Sequence, residues 1–282
     1  MLIHFILFYL RIYYNTIGLI FPKNSVKKLE KLFSTPRKTV LRKKEIEVLN
    51  EAKQSAFKTK EYEIAVYEWG EGNDYVLLCH GWESNAGSLG AFVKPITNMG
   101  YKVIAFDGPA HGKSTGKISS LIKFKEVFVE LVHHYGLPKI AIGHSLGANT
   151  ILLACAEQQL EIVGSYLFAP VNKVAKVFYD FKSMISIPNS LFNKLEIHLQ
   201  SKTGYRLNEL NFEEIAPKTR LKYNLVLHDL NDQITPVKHS KDIVKNWPNA
   251  QFQEIQGTGH YRILWNEKAV DSVINHLKNK WH

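Results

Sequence analysis

The chain has 282 residues and a mass of 32.3 kDa, enough for one large domain and too few for two ordinary domains with linkers. Its composition, 45% hydrophobic and 22% charged, is that of a globular protein and excludes extensive disorder. The net charge of +10 does not indicate a nucleic-acid partner, because residues 61–282 carry 23 basic and 22 acidic residues and the excess lies in residues 1–60.

The first 22 residues are strongly apolar, but His4 and Arg11 interrupt them. A bilayer-spanning helix needs about 20 predominantly apolar residues, and the charge near the middle disfavours one here. A signal peptide also fits poorly, because no basic segment precedes the apolar stretch and no small-x-small site follows it. Two interpretations stay open: an interfacial helix that gives peripheral membrane contact through residues 1–44, or a helix that packs on its own domain.

Residues 23–60 are rich in lysine and compatible with helix, so residues 1–60 are predicted to form a helical N-terminal extension. From residue 61 short apolar runs alternate with stretches of helical length. The runs predicted as strands are YEIAVYEW, YVLLCH, YKVIAF, KIAIG, VGSYLFA, YNLVLH and QFQEI. This alternation predicts an α/β fold, a doubly wound and mostly parallel sheet covered by helices on both faces.

About fifty residues separate the strand near Pro170 from the strand near Tyr223. A structureless loop of that length is improbable in a compact domain, so residues 171–218 are predicted to form a helical cap over the carboxyl ends of the strands. Cys79 and Cys155 lie in apolar segments typical of buried free thiols, which suggests no oxidising compartment and favours the cytoplasm, with membrane association under the first interpretation above.

The segment from Gly143 to Gly147 reads G-H-S-L-G and lies between a predicted strand and a predicted helix. This is the context of a nucleophile elbow, in which a strained turn presents the serine at a helix N-terminus. The glycines leave room for the neighbouring strand and helix. Ser145 is therefore the predicted nucleophile.

A serine hydroxyl needs a base, and the base needs a carboxylate that fixes its tautomer. After YNLVLH come Asp229 and Asp232, and after QFQEI comes His260. Each lies just past a strand end. His260 is the predicted base, and Asp232 is preferred over Asp229 as its partner because it lies farther out in the loop.

The oxyanion of an acyl-transfer intermediate needs two N–H donors. One predicted donor is the backbone N–H of Leu146, after the nucleophile, and the other is that of Trp82, in the loop after an early strand. A Trp82 that only packs is the alternative interpretation.

No cofactor or metal site is predicted. Residues 108–114 resemble a phosphate-binding loop, but three residues separate the glycines where four are needed, and Asp107 precedes the loop and would repel phosphate. The adjacent His133 and His134 cannot share a helix face, and neither HExxH nor paired CxxC occurs.

The series His80-Gly-Trp82, Asp107 to Ser114, Gly143 to Gly147, Asp232 and His260 resembles the α/β-hydrolase superfamily from about residue 61 to the C-terminus. The resemblance implies a serine hydrolase with a cap, with residues 107–114 as part of the wall of the active site. A serine in the elbow argues against dehalogenases and epoxide hydrolases, whose elbow carries aspartate. For a peptidase, Glu213 and Glu214 could receive a substrate amine, although a solvated helix face explains them equally well.

Three function classes stay open. The first is an esterase or lipase-like hydrolase of carboxylic esters, with a small-molecule acyl ester as substrate. The second is an acyltransferase or thioesterase that uses the same triad. The third, a non-catalytic relative that binds a ligand, is disfavoured because a binding protein has no use for the whole set of catalytic positions.

Overall fold

The computed structural model describes residues 2–281, and the side chains of residues 5–280. Contacts divide the chain into two compact units. The smaller unit comprises Met1–Thr35 and Lys173–Asn211, and the larger unit comprises Pro36–Asn172 and Phe212–His282. The extension boundary predicted near residue 60 stays a prediction.

The larger unit contains one sheet of eight strands in the order β1-β2-β4-β3-β5-β6-β7-β8. The strands pair in parallel except that β2 is antiparallel to both β1 and β4. Their bounds are β1 Lys53–Lys58, β2 Glu63–Trp69, β3 Tyr75–Cys79, β4 Lys102–Phe106, β5 Ile140–His144, β6 Gly164–Phe168, β7 Tyr223–Asp229 and β8 Ala250–Ile255. The predicted fold class is confirmed.

Thirteen α-helices are assigned within residues 2–281. They are α1 Leu2–Asn15, α2 Ile17–Ile20, α3 Pro22–Ser34, α4 Lys43–Asn50, α5 Val93–Thr97, α6 Leu121–Tyr135, α7 Leu146–Gln158, α8 Val174–Met184, α9 Asn189–Thr203, α10 Phe212–Ile215, α11 Lys238–Lys245, α12 Gly259–Arg262 and α13 Glu267–Trp281. Within this described part of the chain, no helix is both long enough and apolar enough to cross a membrane.

The central strands of the larger unit are apolar on both faces. Every residue of β3, β5 and β6 is buried, because a parallel strand covered by helices on both sides of the sheet meets no water on either face. One core cluster contains Phe92, Ile142, Tyr166 and Phe168 from the sheet and the segment after β3. The loops after β3, β5, β7 and β8 leave this rigid core at its carboxyl edge, where they can present functional groups.

Strand β1 is a feature that the sequence did not indicate. Its sequence KQSAFK is exposed at five of six positions, and it pairs only with β2 at one edge of the sheet. A polar edge strand with lysine at both ends resists pairing with other chains. Because residues 53–58 carry no apolar alternation, the sequence predicts them to be part of the lysine-rich helical extension, and the structure shows a strand instead.

The smaller unit is all helical and has its own core. Its cluster brings residues of α1 and α3 together with residues of α8 and α9, including Tyr14, Leu29, Phe178, Leu191 and Leu195. One side of the N-terminal helix therefore packs on the protein, as the second of the two interpretations expected. The predicted cap segment contributes α8 and α9 to this unit.

Candidate active site

Ser145 occupies the turn between β5 and α7. Its φ of +50° and ψ of −116° lie outside the regions that a residue with a side chain prefers. The Ser145 N–H donates to the Phe168 carbonyl at 2.8 Å, which holds the strained turn against β6. The residue is partly exposed although the strand before it is buried. Strain maintained by the surrounding structure is common at functional positions.

The two glycines of this turn have the reason that the motif predicts. A Cβ at Gly147 would collide with the carbonyl oxygen of Cys79, at the end of the neighbouring strand β3. A Cβ at Gly143 would lie 2.8 Å from the Ala148 Cα in α7. Neither position tolerates a side chain without movement of backbone.

Asp232 and His260 form a buried pair. His260 Nδ1 donates to Asp232 Oδ2 at 2.7 Å, and the two residues are 6% and 5% exposed. With the proton held on Nδ1, the His260 Nε2 carries a free lone pair and can accept a proton. The sequence placed these two residues at the ends of different strands, β7 and β8, and the fold brings their side chains together.

The Asp232 carboxylate has three further donors. Its Oδ1 accepts the backbone N–H groups of Ile234 and Thr235 at 2.8 and 2.9 Å, and its Oδ2 lies 3.2 Å from His228 Nε2. Burial by itself raises the pKa of this carboxyl, but the hydrogen bonds from His228, His260 and Thr235 outweigh it and hold the pKa below its usual range. Asp232 therefore stays ionised.

His228 is a component of the site that the sequence did not reveal. It is fully buried at the end of β7, where its Nε2 also lies 2.7 Å from the Thr235 carbonyl and its Nδ1 lies 2.6 Å from Ser240 Oγ. Because a carbonyl only accepts, Nε2 carries the proton and is shared between the Thr235 carbonyl and Asp232. The one signal in the sequence was a histidine at the end of an apolar strand, four residues before the aspartate.

Asp229, the competing carboxylate, has a different set of partners. Its Oδ2 accepts the backbone N–H of Thr258 at 2.6 Å and the Thr258 hydroxyl at 2.7 Å, and its Oδ1 accepts the Asn231 N–H at 2.8 Å. Asp229 thus holds the loop that carries His260, whereas Asp232 contacts the imidazole.

His144, inside the elbow, is 1% exposed and points into the structure. Its Nε2 lies 2.9 Å from the carbonyl oxygen of His260, so Nε2 donates. Burial, together with the nearby His260, lowers the pKa of His144 well below the ordinary value and keeps the ring neutral. The residue next to Ser145 is therefore linked directly to the backbone of His260.

The loop that carries Trp82 follows β3 and lies against the elbow. A Cβ at Gly81 would lie 3.3 Å from the Ser145 Cβ. The indole of Trp82 packs edge-on against His111, with ring centroids 5.2 Å apart. Leu146 is the first residue of α7, where backbone N–H groups point out of the helix end.

Two neutral histidines fix this loop to the turn after β4. His80 Nε2 accepts the Gly108 N–H at 2.9 Å, and His111 Nε2 accepts the Glu83 N–H at 3.0 Å. Their Nδ1 atoms lie 2.7 and 2.8 Å from the carbonyl oxygens of Gly81 and Pro109. Burial lowers the pKa of both rings to about 4.

The turn at residues 107–114 surrounds a protein carboxylate. Asp107 is buried and accepts the N–H groups of Ala86 and Lys113 at 2.8 and 2.9 Å and the Tyr67 hydroxyl at 3.0 Å. A Cβ at Gly112 would collide with this carboxylate. The backbone N–H of Lys113 thus points at Asp107, which agrees with the interpretation that the turn is not a phosphate-binding loop.

The chain is similar to known proteins in sequence and in fold. The model of the family described as serine aminopeptidase, S33, matches residues 70–216. A monoglyceride lipase homolog of monkeypox virus is 25% identical over 204 residues, which cover 66% of this chain and 74% of that protein. The uncharacterized protein YqkD of Bacillus subtilis is 24% identical over 192 residues, 63% of this chain, and the chain spans 62% of its length.

The structure of mouse alpha/beta hydrolase domain-containing protein 10 superimposes with a TM-score of 0.63 at 18% identity. The superposition covers 81% of this chain and 98% of the mouse chain, and it shows that the two share a fold.

Proposed function

The chain belongs to the serine aminopeptidase S33 family of the α/β-hydrolase superfamily, and we propose on this basis that it hydrolyses carboxylic esters through an acyl-enzyme on Ser145. The proposal depends chiefly on one observation. The buried pair of Asp232 and His260, 2.7 Å apart, leaves the proton on Nδ1 and the lone pair on Nε2, as a general base for a serine requires.

In the proposed reaction, His260 Nε2 takes the hydroxyl proton as the Ser145 oxygen attacks the ester carbonyl. The carbonyl oxygen gains the negative charge and is stabilised by the backbone N–H groups of Trp82 and Leu146. Collapse of the intermediate breaks the bond to the alcohol, and the proton on His260 leaves with it. Water then attacks the acyl-enzyme by the same route and releases the carboxylic acid.

Hydrogen bonds made by neighbouring side chains hold the proposed catalytic groups in place. Asp232 orients the base and stays charged because of its four donors, and His144 binds the backbone of His260. His80 and His111 attach the Trp82 loop to the turn after β4, so the N–H groups are fixed before substrate arrives. Groups fixed in advance stabilise a developing charge without reorganising at the moment of reaction.

Lipid esters are the substrate class we propose. One relative is named as a monoglyceride lipase homolog, and the sequence of the cap segment is rich in apolar residues. An aminopeptidase needs a carboxylate aimed at the substrate amine, but Glu213 accepts a hydrogen bond from the Asn172 side chain at 2.8 Å. Because Glu213 is already bonded to Asn172, we propose ester substrates rather than the peptides that the family description names.

The test is hydrolysis of monoacylglycerols and of p-nitrophenyl esters of increasing chain length by the purified chain. We expect turnover of both, and a loss of about 10⁴-fold or more in kcat for Ser145→Ala. Ser201→Ala, an exposed serine on α9, is the matched control and should retain full activity. Equal activity of Ser145→Ala and the control would refute the proposal.

Acyl transfer would use the same acyl-enzyme with an alcohol or thiol in place of water. Product analysis with added acceptor separates the two activities, because a hydrolase releases the free acid and a transferase forms the new ester. We expect the free acid to dominate.

A further inference from the structure

The surface of the N-terminal segment that faces away from the smaller unit's core is apolar. Tyr9 is 66% exposed and Ile20 is 70% exposed, far more than a packed apolar side chain would be. We call this surface the docking face; it consists of Phe5, Ile6, Phe8, Tyr9, Ile12, Ile17, Leu19, Ile20 and Phe21, all at least 46% exposed. Nine large apolar side chains exposed within residues 5–21 indicate a binding surface.

The polar groups of the same segment are bonded within the smaller unit. The Arg11 guanidinium donates to the carbonyl of Met184, at the C-terminal end of α8, with its Nη2 at 2.9 Å. The Asn15 side chain donates to the Ser186 carbonyl at 2.8 Å, and the Thr16 hydroxyl donates to the Ile12 carbonyl at 2.7 Å. The charge that argued against a spanning helix is thus bound to the protein and is not part of the docking face.

The opposite side of α1 is occupied by protein. Leu7, Leu10 and Tyr14 pack in the core cluster with residues of α3, α8 and α9. Because that side is covered, α1 can meet an apolar phase only side-on, in the manner of an interfacial helix.

The charges next to the docking face are positive. Lys23, Lys27 and Lys31 are exposed and, spaced four residues apart, lie on one stripe of α3. The only acidic residue among residues 1–35 is Glu30, whose carboxylate is 2.7 Å from both His198 Nε2 and Lys202 Nζ. The smaller unit contains eleven basic and four acidic residues, a net charge of +7 from 74 residues.

We propose that the docking face inserts into the surface of an anionic lipid membrane, with the lysines of α3 at the level of the head groups. Phenylalanine, isoleucine and leucine supply the apolar contact, and the Tyr9 ring, with an apolar body and a hydroxyl, suits the boundary between acyl chains and head groups. A second copy of the chain is disfavoured as occupant, because two units of charge +7 would then meet.

The test is flotation of the full-length chain with vesicles of phosphatidylcholine containing 30 mol% phosphatidylglycerol, and with vesicles of phosphatidylcholine alone. We expect binding to the anionic vesicles that weakens with salt. Ser145→Ala should bind vesicles as the unmodified chain does, because membrane binding requires no turnover. The vesicle experiment therefore tests the docking face independently of the proposed ester hydrolysis.

Two variants test separately the apolar side chains of the docking face and the lysines of α3. Phe8→Gln with Tyr9→Gln should weaken vesicle binding by at least about tenfold, since both rings leave water on docking. Leu137→Gln, which changes a 48% exposed leucine of the larger unit, is the matched control and should bind normally. Because all three side chains are largely exposed, folding measured by circular dichroism should not change.

Lys23→Gln with Lys27→Gln and Lys31→Gln should weaken binding to anionic vesicles on the order of a hundredfold, at about fivefold per lysine. Lys53→Gln with Lys58→Gln and Lys60→Gln, which removes three exposed lysines from the larger unit, is the control with the same change of charge. Absence of flotation, or equal flotation of the variants and their controls, would overturn the proposal. Dimerisation in solution that Phe8→Gln with Tyr9→Gln abolishes, without vesicle binding, would assign the docking face to a second copy instead.

Discussion

Replacement of Asp232 by asparagine probes the proposed base most selectively, because the surroundings dictate how the amide must lie. Two backbone donors, the N–H groups of Ile234 and Thr235, face Oδ1 at 2.8 and 2.9 Å and cannot become acceptors. The amide oxygen must therefore take that position, and the amide nitrogen must take the position of Oδ2.

In that orientation the amide nitrogen faces the Nδ1 of His260. The imidazole can satisfy it only by moving its proton to Nε2, where it can no longer accept the proton of Ser145. His228 cannot relieve the conflict, because its Nε2–H is shared with the Thr235 carbonyl at 2.7 Å. The wrong tautomer should lower kcat by about 10⁴-fold, which is about 5.5 kcal/mol of transition-state stabilisation.

The assay is steady-state hydrolysis of a short p-nitrophenyl ester, with Asp229→Asn as the matched control. Asp229 bonds Thr258 and not the imidazole, so its replacement should cost about 1–3 kcal/mol of folding stability and less than about tenfold in kcat. A smaller loss for Asp232→Asn than for Asp229→Asn would refute the assignment of the two carboxylates.

Three further predictions follow from the contacts around the site. The unfolding free energy, measured by chemical denaturation, should be greatest above about pH 6.5 and fall as the pH decreases towards 4, by about 3 kcal/mol each for His80 and His111. The reason is that both rings accept backbone N–H groups and have a pKa lowered to about 4 in the folded state. An unfolding free energy that does not change over this pH range would contradict the prediction. His144→Phe removes the donor to the His260 carbonyl and should lower kcat by about tenfold with KM unchanged, so an unchanged kcat would show that the contact does not position the base. Gly147→Ala forces a Cβ into backbone and should destabilise the chain by more than about 3 kcal/mol, measured by thermal unfolding, whereas a near-normal Tm would mean that the elbow can relax.

The sheet was predictable because a buried parallel strand has a composition that few other elements share. The strands YVLLC, IAIGH and GSYLF are buried throughout, and their apolar runs can be predicted as strands from the sequence. Strand β1 cannot be predicted in this way, because an exposed edge strand is polar and lacks the apolar alternation that indicates a strand. Its pairing with β2 depends on the rest of the sheet.

The sequence predicts which candidate site residues follow the ends of strands. It does not predict which of these residues contact each other across different loops. The G-H-S-L-G turn is local, so Ser145 could be identified from its neighbours alone. The contact of Asp232 with His260 follows only once β7 and β8 lie side by side. His228 and His144 could not be assigned roles, because each role is a hydrogen bond to a group in another loop.

The N-terminal segment shows a second limit of sequence patterns. An apolar helix has the same composition whether it meets lipid or protein, so both interpretations stayed open. The structure divides the helix between them: one side packs in the smaller unit and the other is exposed. Only the structure shows that the exposed Arg11 guanidinium is hydrogen-bonded to the Met184 carbonyl of the smaller unit.

The most direct measurement of the central claim is reaction of the full chain with a fluorophosphonate probe, followed by mass spectrometry of the labelled peptide. If the His260 imidazole removes the hydroxyl proton, the adduct should lie on Ser145, and Ser145→Ala and His260→Ala should both remain unlabelled. A folded, unmodified chain that stays unlabelled, or His260→Ala labelled at the normal rate, would contradict the proposed chemistry.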